Sequence, residues 1–141
     1  MGVTITANNS KYRFDMGCGG FFNLRKNIAI SLDPDFGQNY ANLAKCHLPQ
    51  HYKEHDHIAN CLIKRKGLDK EYTDVIDFLY QPDDEGGKIS HKTCKKIYEL
   101  LETVNLKGEG FQYTAYMHND YDEFKAFLLE CYSYRRCMRW F

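Results

Sequence analysis

The sequence predicts an α+β fold: a single domain over residues 1–141, mostly helical with about six helices, and a small antiparallel sheet of two to four strands. Six segments carry apolar residues at helical spacing, and most begin or end at a capping residue, a proline or a glycine. Short segments that alternate apolar and polar residues predict the strands. A chain of 141 residues is long enough to bury a core without disulfides or metal.

The predicted strands begin with a hairpin. Val3–Thr6 and Lys11–Phe14 alternate on either side of the turn residues Asn8-Asn9-Ser10. A further strand is predicted over Phe111–Met117. The basic and aromatic end of the chain is interpreted as a final strand or tail, in which Trp140 and Phe141 close the core.

The predicted helices follow from local start and stop signals. They run over about 20–32, from Asp33 to Pro49, over about 50–65, from Glu71 to Tyr80, from Ser90 past Val104, and from Asp120. Asp33, Ser90 and Asp120 are the predicted N-cap residues, and Gly67 is the predicted end of the third helix.

Composition limits the classes of partner. Nineteen basic and nineteen acidic residues cancel, so a nucleic-acid partner is not expected. No apolar run is long enough to span a membrane and no secretory segment is seen, so we expect a cytoplasmic protein. The six cysteines are then reduced thiols, most of them in the core, and no cofactor is expected.

The glycine-rich turn before the first helix is the first candidate site. Glycines allow a partner to approach the backbone closely, and the unpaired N–H groups of a helix start can hold an anion. Packing of Phe21 and Phe22 behind a tight turn is the alternative explanation of the same glycines. The candidate ligand-binding residues here are Gly17, Gly19, Gly20, Arg25, Tyr12 and Arg13.

A second, weaker ligand-binding candidate is the C-terminal group Arg135, Arg136 and Arg139. Basic residues that alternate with aromatic ones can pair with phosphates and stack on bases. The alternative is that these arginines simply face water.

A third candidate is the Cys/His segment at 46–61. His51 and His55 are spaced i,i+4 on one helical face, and Cys46 and Cys61 add two thiols. The segment lacks a Cys-x-x-Cys hook, so a zinc site built from Cys46, His51, His55 and Cys61 is only an alternative to surface histidines and core thiols.

The segment Phe14–Ala29 resembles the opening of a family of small proteins from phages, prophages and related mobile elements of Gram-positive bacteria. The shared pattern is Phe-Asp-Met-Gly-x-Gly-Gly-Phe, followed by Leu-Arg and Ile-Ala. Asp77–Tyr80, Lys88–Ser90 and Arg139–Phe141 are similar to later blocks of the same family. The resemblance implies an accessory protein made in the bacterial host cytoplasm, of a kind that often binds a host factor or counters a defence. It implies no activity.

The leading functional hypothesis is therefore a non-enzymatic binding protein. Its partner would be a host or defence protein, or a small anionic ligand such as a signalling nucleotide. The alternatives are a metal- or thiol-dependent enzyme centred on residues 46–61 and a structural or assembly protein. The oligomeric state is left open.

Overall fold

The computed structural model describes residues 2–82, 85–103 and 121–141. Over these residues the fold is α+β, as predicted, with six α-helices and a four-stranded antiparallel sheet. The strands are β1 (Gly2–Thr6), β2 (Arg13–Gly17), β3 (Gly87–Ile89) and β4 (Met138–Trp140). The helices are α1 (Cys18–Leu32), α2 (Pro34–Ala41), α3 (Pro49–Lys66), α4 (Thr73–Tyr80), α5 (His91–Glu102) and α6 (Tyr121–Ser133). The strand predicted over Phe111–Met117 and the N-cap predicted at Asp120 lie outside the described residues.

The sheet has the order β2-β1-β4-β3, so the strand nearest the end of the sequence lies beside the first one. The N-terminal hairpin is confirmed, although β2 covers Arg13–Gly17 rather than Lys11–Phe14. A final strand at Met138–Trp140 is also confirmed, whereas β3 was not predicted. Phe141 is 58% exposed, so the prediction that it helps to close the core is wrong.

Alternation divides the sheet into a buried face and an open face. The buried face carries apolar side chains that pack against the helices: Val3, Ile5, Phe14, Met16, Ile89, Met138 and Trp140. Residues between them in sequence point the other way and are exposed or half-buried. Among the described residues, this open face is the more accessible side of the sheet.

Trp140 is the largest fully buried side chain. Its ring lies 5.9 Å from that of Phe21 on α1 and 5.2 Å from that of Phe78 on α4, measured between centroids. Its indole N–H donates to the carbonyl oxygen of Pro82 at 3.3 Å. A Cβ at Gly87 would collide with this indole, so β3 requires glycine at that position.

The helix boundaries confirm the predicted caps at Asp33 and Ser90 and the predicted stop at Gly67, whereas α2 ends at Ala41 rather than near Pro49. The Asp33 carboxylate accepts a hydrogen bond from the backbone N–H of Phe36 at 2.9 Å, and the Ser90 hydroxyl accepts one from Thr93 at 3.3 Å. Gly67 has a left-handed φ of 65° and ends α3. These are contacts within a few residues, and the sequence signals for them are local.

Asp74 links α4 to α5. Its carboxylate accepts from the hydroxyl of Thr93 at 2.7 Å and from Lys96 Nζ at 3.0 Å. Partial burial raises the pKa of Asp74, but these hydrogen bonds and the nearby Lys96 charge outweigh that effect, so the pKa lies below its usual value.

All six cysteines are free thiols. Cys94 and Cys131 are buried, Cys46 is half-buried, and the other three are exposed, so the prediction that most of them lie in the core is wrong. Separately, among the described residues no helix combines the length and the apolar character that crossing a membrane would require.

We expect Gly37→Ala to destabilise the fold by about 3 kcal/mol, because a Cβ on α2 would overlap the backbone of Ile30 on α1. Gly19→Ala is the matched control. An added Cβ there meets nothing within 4 Å, and alanine favours the helix by up to about 1 kcal/mol. Urea denaturation of both variants tests this; equal midpoints for Gly37→Ala and the unsubstituted protein would contradict the close packing of α1 on α2.

We expect Asp74→Asn to reduce the loss of stability in acid. The pKa of Asp74 is lowered on folding, so its contribution is present at neutral pH and is lost as the pH falls through the folded-state pKa, below about 4. The unsubstituted protein should therefore lose more stability than Asp74→Asn between about pH 5 and pH 2. Denaturation midpoints that fall in parallel for the two proteins would show that Asp74 is not a source of the acid sensitivity.

Candidate functional site

The glycine-rich turn is a direct junction between β2 and α1. Gly17 ends the strand with φ −72° and ψ 168°, and Gly19 and Gly20 belong to the first turn of the helix. Gly17 thus does not use the left-handed backbone that favours glycine, and an added Cβ at Gly17 or Gly19 would meet no atom within 4 Å. Packing does not require these two glycines. Anion binding by the backbone of this turn remains a prediction, because a helix start alone does not define a ligand.

Arg25 does not face the turn. Its side chain is buried, with 6% of the residue exposed, and its guanidinium lies 4.0 Å from the centroid of the Phe21 ring. Nη1 donates to the carbonyl oxygens of Leu79 at 3.2 Å and Gln81 at 2.5 Å, at the C-terminal end of α4. A cation is favourable at that end of a helix. Arg25 is therefore a core residue, and the expected position beside a bound anion is wrong.

Tyr12 and Arg13 point to opposite sides of the hairpin. The ring of Tyr12 is half-buried and packs edge-on against Phe127, with 6.0 Å between the centroids. Arg13 is exposed on the open face of the sheet and forms a 3.4 Å ion pair with Asp15.

The three C-terminal arginines have three different positions. Arg136 is held by Glu130 at 3.1 Å and by the carbonyl oxygen of Asn9 at 3.2 Å. Arg135 follows α6 with a left-handed φ of 54°. Arg139 is in β4 and is exposed on the open face of the sheet. Arg139 thus shares the open face of the sheet with Arg13.

The sheet register places these residues in one row across all four strands. Arg13 lies opposite Thr6, and Thr6 lies opposite Arg139. On the other side of β4, Arg139 lies opposite Lys88. Neighbouring strands are about 4.8 Å apart, so the row from Arg13 to Lys88 spans about 14 Å. We call this set (Arg13, Thr6, Arg139 and Lys88) the cationic row.

The charges of the cationic row are only partly neutralised. Asp15 approaches Arg13, but within the three described segments no ion pair involves Arg139 or Lys88. Phe141 lies next to the row, where it pairs with Thr4 through backbone hydrogen bonds of 2.8 and 3.0 Å. The Arg13 guanidinium lies 5.9 Å from the Phe141 ring. The open face thus combines exposed cations with an exposed aromatic ring.

Sequence reasoning missed Lys88 and Thr6. Lys88 follows two glycines, Gly86 and Gly87, and no local signal pairs this short segment with β4. Thr6 was recognised as a strand residue, but its neighbours across the sheet depend on contacts between distant parts of the chain.

The Cys/His segment does not form a metal centre in the part of the chain that the structure describes. Cys46, His51 and His55 line a cavity of about 230 Å³, whereas Cys61 lies apart, with its Sγ 3.8 Å from Nε2 of His57. The backbone N–H groups of residues 47 and 48 donate to Nδ1 of His51, which leaves the ring proton on Nε2. The lone pair of the His51 ring in this tautomer, on Nδ1, accepts these backbone hydrogen bonds.

We expect Arg25→Ala to lower the free energy of unfolding by about 3 kcal/mol, because carbonyls at the end of α4 would lose a buried donor. Arg25→Lys should also destabilise, since an ammonium cannot reproduce the flat, forked guanidinium. Arg13→Ala, at an exposed position, is the control and should stay within about 0.5 kcal/mol of the unsubstituted protein. Similar unfolding free energies for Arg25→Ala and Arg13→Ala would refute the core role of Arg25.

Comparisons of this chain with protein-family models, with curated proteins and with solved structures give no match.

Proposed function

We propose that this chain is a non-enzymatic accessory protein of a phage or related mobile element, and that the open face of its sheet binds an acidic surface of a host or defence protein. The observation that carries the proposal is the cationic row, in which three basic side chains share one register across the sheet. The biological context rests on the resemblance of Phe14–Ala29 to phage and prophage proteins.

The chemistry of the open face supports a protein partner. Arginine donates two parallel hydrogen bonds to a carboxylate, and Arg13 and Arg139 lie about 10 Å apart on either side of β1. Arginine and aromatic residues are enriched among the residues that dominate binding energy, and Phe141 supplies an exposed ring beside Arg13. The zero net charge of the chain argues against a general affinity for nucleic acid.

The enzyme alternative has less support from the geometry. The Cys/His segment is divided between two places, a cavity lined by Cys46, His51 and His55 and the separate contact of Cys61 with His57. His51 is engaged with the backbone at the start of α3. No observation among the described residues favours a particular reaction there. The assembly alternative would need evidence for a large homo-oligomer.

The test is affinity capture from a lysate of Gram-positive bacteria, comparing the tagged protein with Arg13→Glu/Arg139→Glu. We expect the amount of a captured partner protein to be about tenfold or more lower with the double variant, because two attractive charges become repulsive. Lys53→Glu is the matched control, since Lys53 is an exposed lysine on α3, away from the sheet. Purified partner should then bind less tightly as salt rises from about 0.1 to about 1 M.

Capture that is equal for the double variant and for Lys53→Glu would overturn the proposal. Circular dichroism must show that the double variant is folded, and we expect this because both arginines are exposed.

A further inference from the structure

A second cationic surface lies between α5 and the end of α6. It is a groove of about 900 Å³, within the range of small-molecule sites. We call it the basic groove and define it by His91, Lys92, Lys95, Tyr132 and Arg135.

The lining of the basic groove is strongly unbalanced in charge. The lining contains one carboxylate, that of Glu99, and four basic side chains: Lys92, Lys95, Lys96 and Arg135. Lys96 is neutralised by Asp74 at 3.0 Å, and Lys95 lies 3.8 Å from Glu99. Across residues 2–82, 85–103 and 121–141 no ion pair involves Lys92 or Arg135. Two cations are thus available to an anionic ligand.

The position of Lys92 is unfavourable in the field of its own helix. His91 and Lys92 occupy the first turn of α5, which carries no acidic residue, although the positive end of a helix favours anions. An anion bound in the groove would remove this unfavourable arrangement. The helix start is here one wall of a cavity that already contains the basic side chains.

Arg135 occupies a position where glycine is usual. The N–H of Arg136 donates to the carbonyl of Cys131 at 2.8 Å, and the N–H of Arg135 donates to that of Tyr132 at 3.3 Å. This is the Schellman pattern that ends a helix, and its left-handed residue is Arg135, with φ 54°. An arginine there is less stable than a glycine, and it brings a guanidinium to the groove.

An aromatic wall completes the groove. The Tyr132 ring is half-buried, Lys95 Nζ lies 4.6 Å from its centroid, and the His91 ring lies 6.1 Å from it at an angle of 33°. Flat side chains of this kind accept a planar base, while neighbouring cations pair with phosphates.

We propose that the basic groove binds a nucleoside polyphosphate, with Lys92 and Arg135 contacting phosphates and Tyr132 and His91 contacting the base. This inference is independent of the protein partner proposed for the cationic row.

The experiment is isothermal titration calorimetry with four probes: ATP, GTP, AMP and inorganic tripolyphosphate. We expect a nucleoside triphosphate to bind at least about tenfold more tightly than both AMP and tripolyphosphate, since only it offers several phosphates and a base. Lys92→Glu/Arg135→Glu should lose about tenfold or more in affinity, whereas Lys53→Glu should bind as the unsubstituted protein does.

The variant Arg135→Gly distinguishes a loss of nucleotide binding from a loss of folding. Glycine adopts the left-handed conformation at no steric cost, so the thermal midpoint should rise, by about 3 °C, while nucleotide affinity falls. A variant that is more stable yet binds less tightly cannot be explained by loss of structure.

Absence of binding to all four probes would overturn the proposal, as would unchanged affinity in Lys92→Glu/Arg135→Glu. If tripolyphosphate bound as tightly as ATP, the proposed contacts of Tyr132 and His91 with a base would be excluded, and the groove would be a site for inorganic polyphosphate. None of these results bears on capture through the cationic row.

Discussion

Burial of Trp140 is the constraint on which the rest of the structure depends. The indole fills the space between α1 and α4, donates to Pro82, and is accommodated by the missing side chain of Gly87. This fixes β4 between β1 and β3, although β4 lies near the end of the sequence. The Arg25 guanidinium lies 5.7 Å from the same ring, so it joins the cluster that holds α4 against the sheet.

Both proposed surfaces follow from this placement. Because Met138 and Trp140 point inward, Arg139 between them must point outward, beside Thr6 and Lys88. The segment that leads into β4 carries Arg135 at the end of α6, and the segment that leaves β3 becomes the first turn of α5. One buried side chain therefore positions the cationic row and one wall of the basic groove.

The helices could be predicted from local sequence signals. Strand pairing and the positions of the candidate site residues could not, because they depend on contacts between distant parts of the chain. The caps at Asp33 and Ser90 and the stop at Gly67 depend on neighbours within four residues, so sequence spacing was sufficient. Arg25 looked like an exposed ligand because it follows a glycine-rich turn, yet its carbonyl partners lie 54 and 56 residues away. Likewise, Arg13 and Arg139 were predicted as parts of separate sites, and only the sheet register brings them together.

A neutral chain can carry basic surfaces when its acidic and basic groups are unevenly distributed. Lys66 bridges Asp33 and Asp35, Lys96 pairs with Asp74, and Arg136 pairs with Glu130. These contacts hold together helices and the chain segments next to them, and each removes both an acidic and a basic side chain from the free surface charge. The basic surfaces therefore arise because the remaining charges are unevenly distributed. The equal count of acidic and basic residues describes the field far from the molecule. Close to the surface, binding depends on which charges remain without a counterion, and the described residues leave Arg139, Lys88, Lys92 and Arg135 in that state.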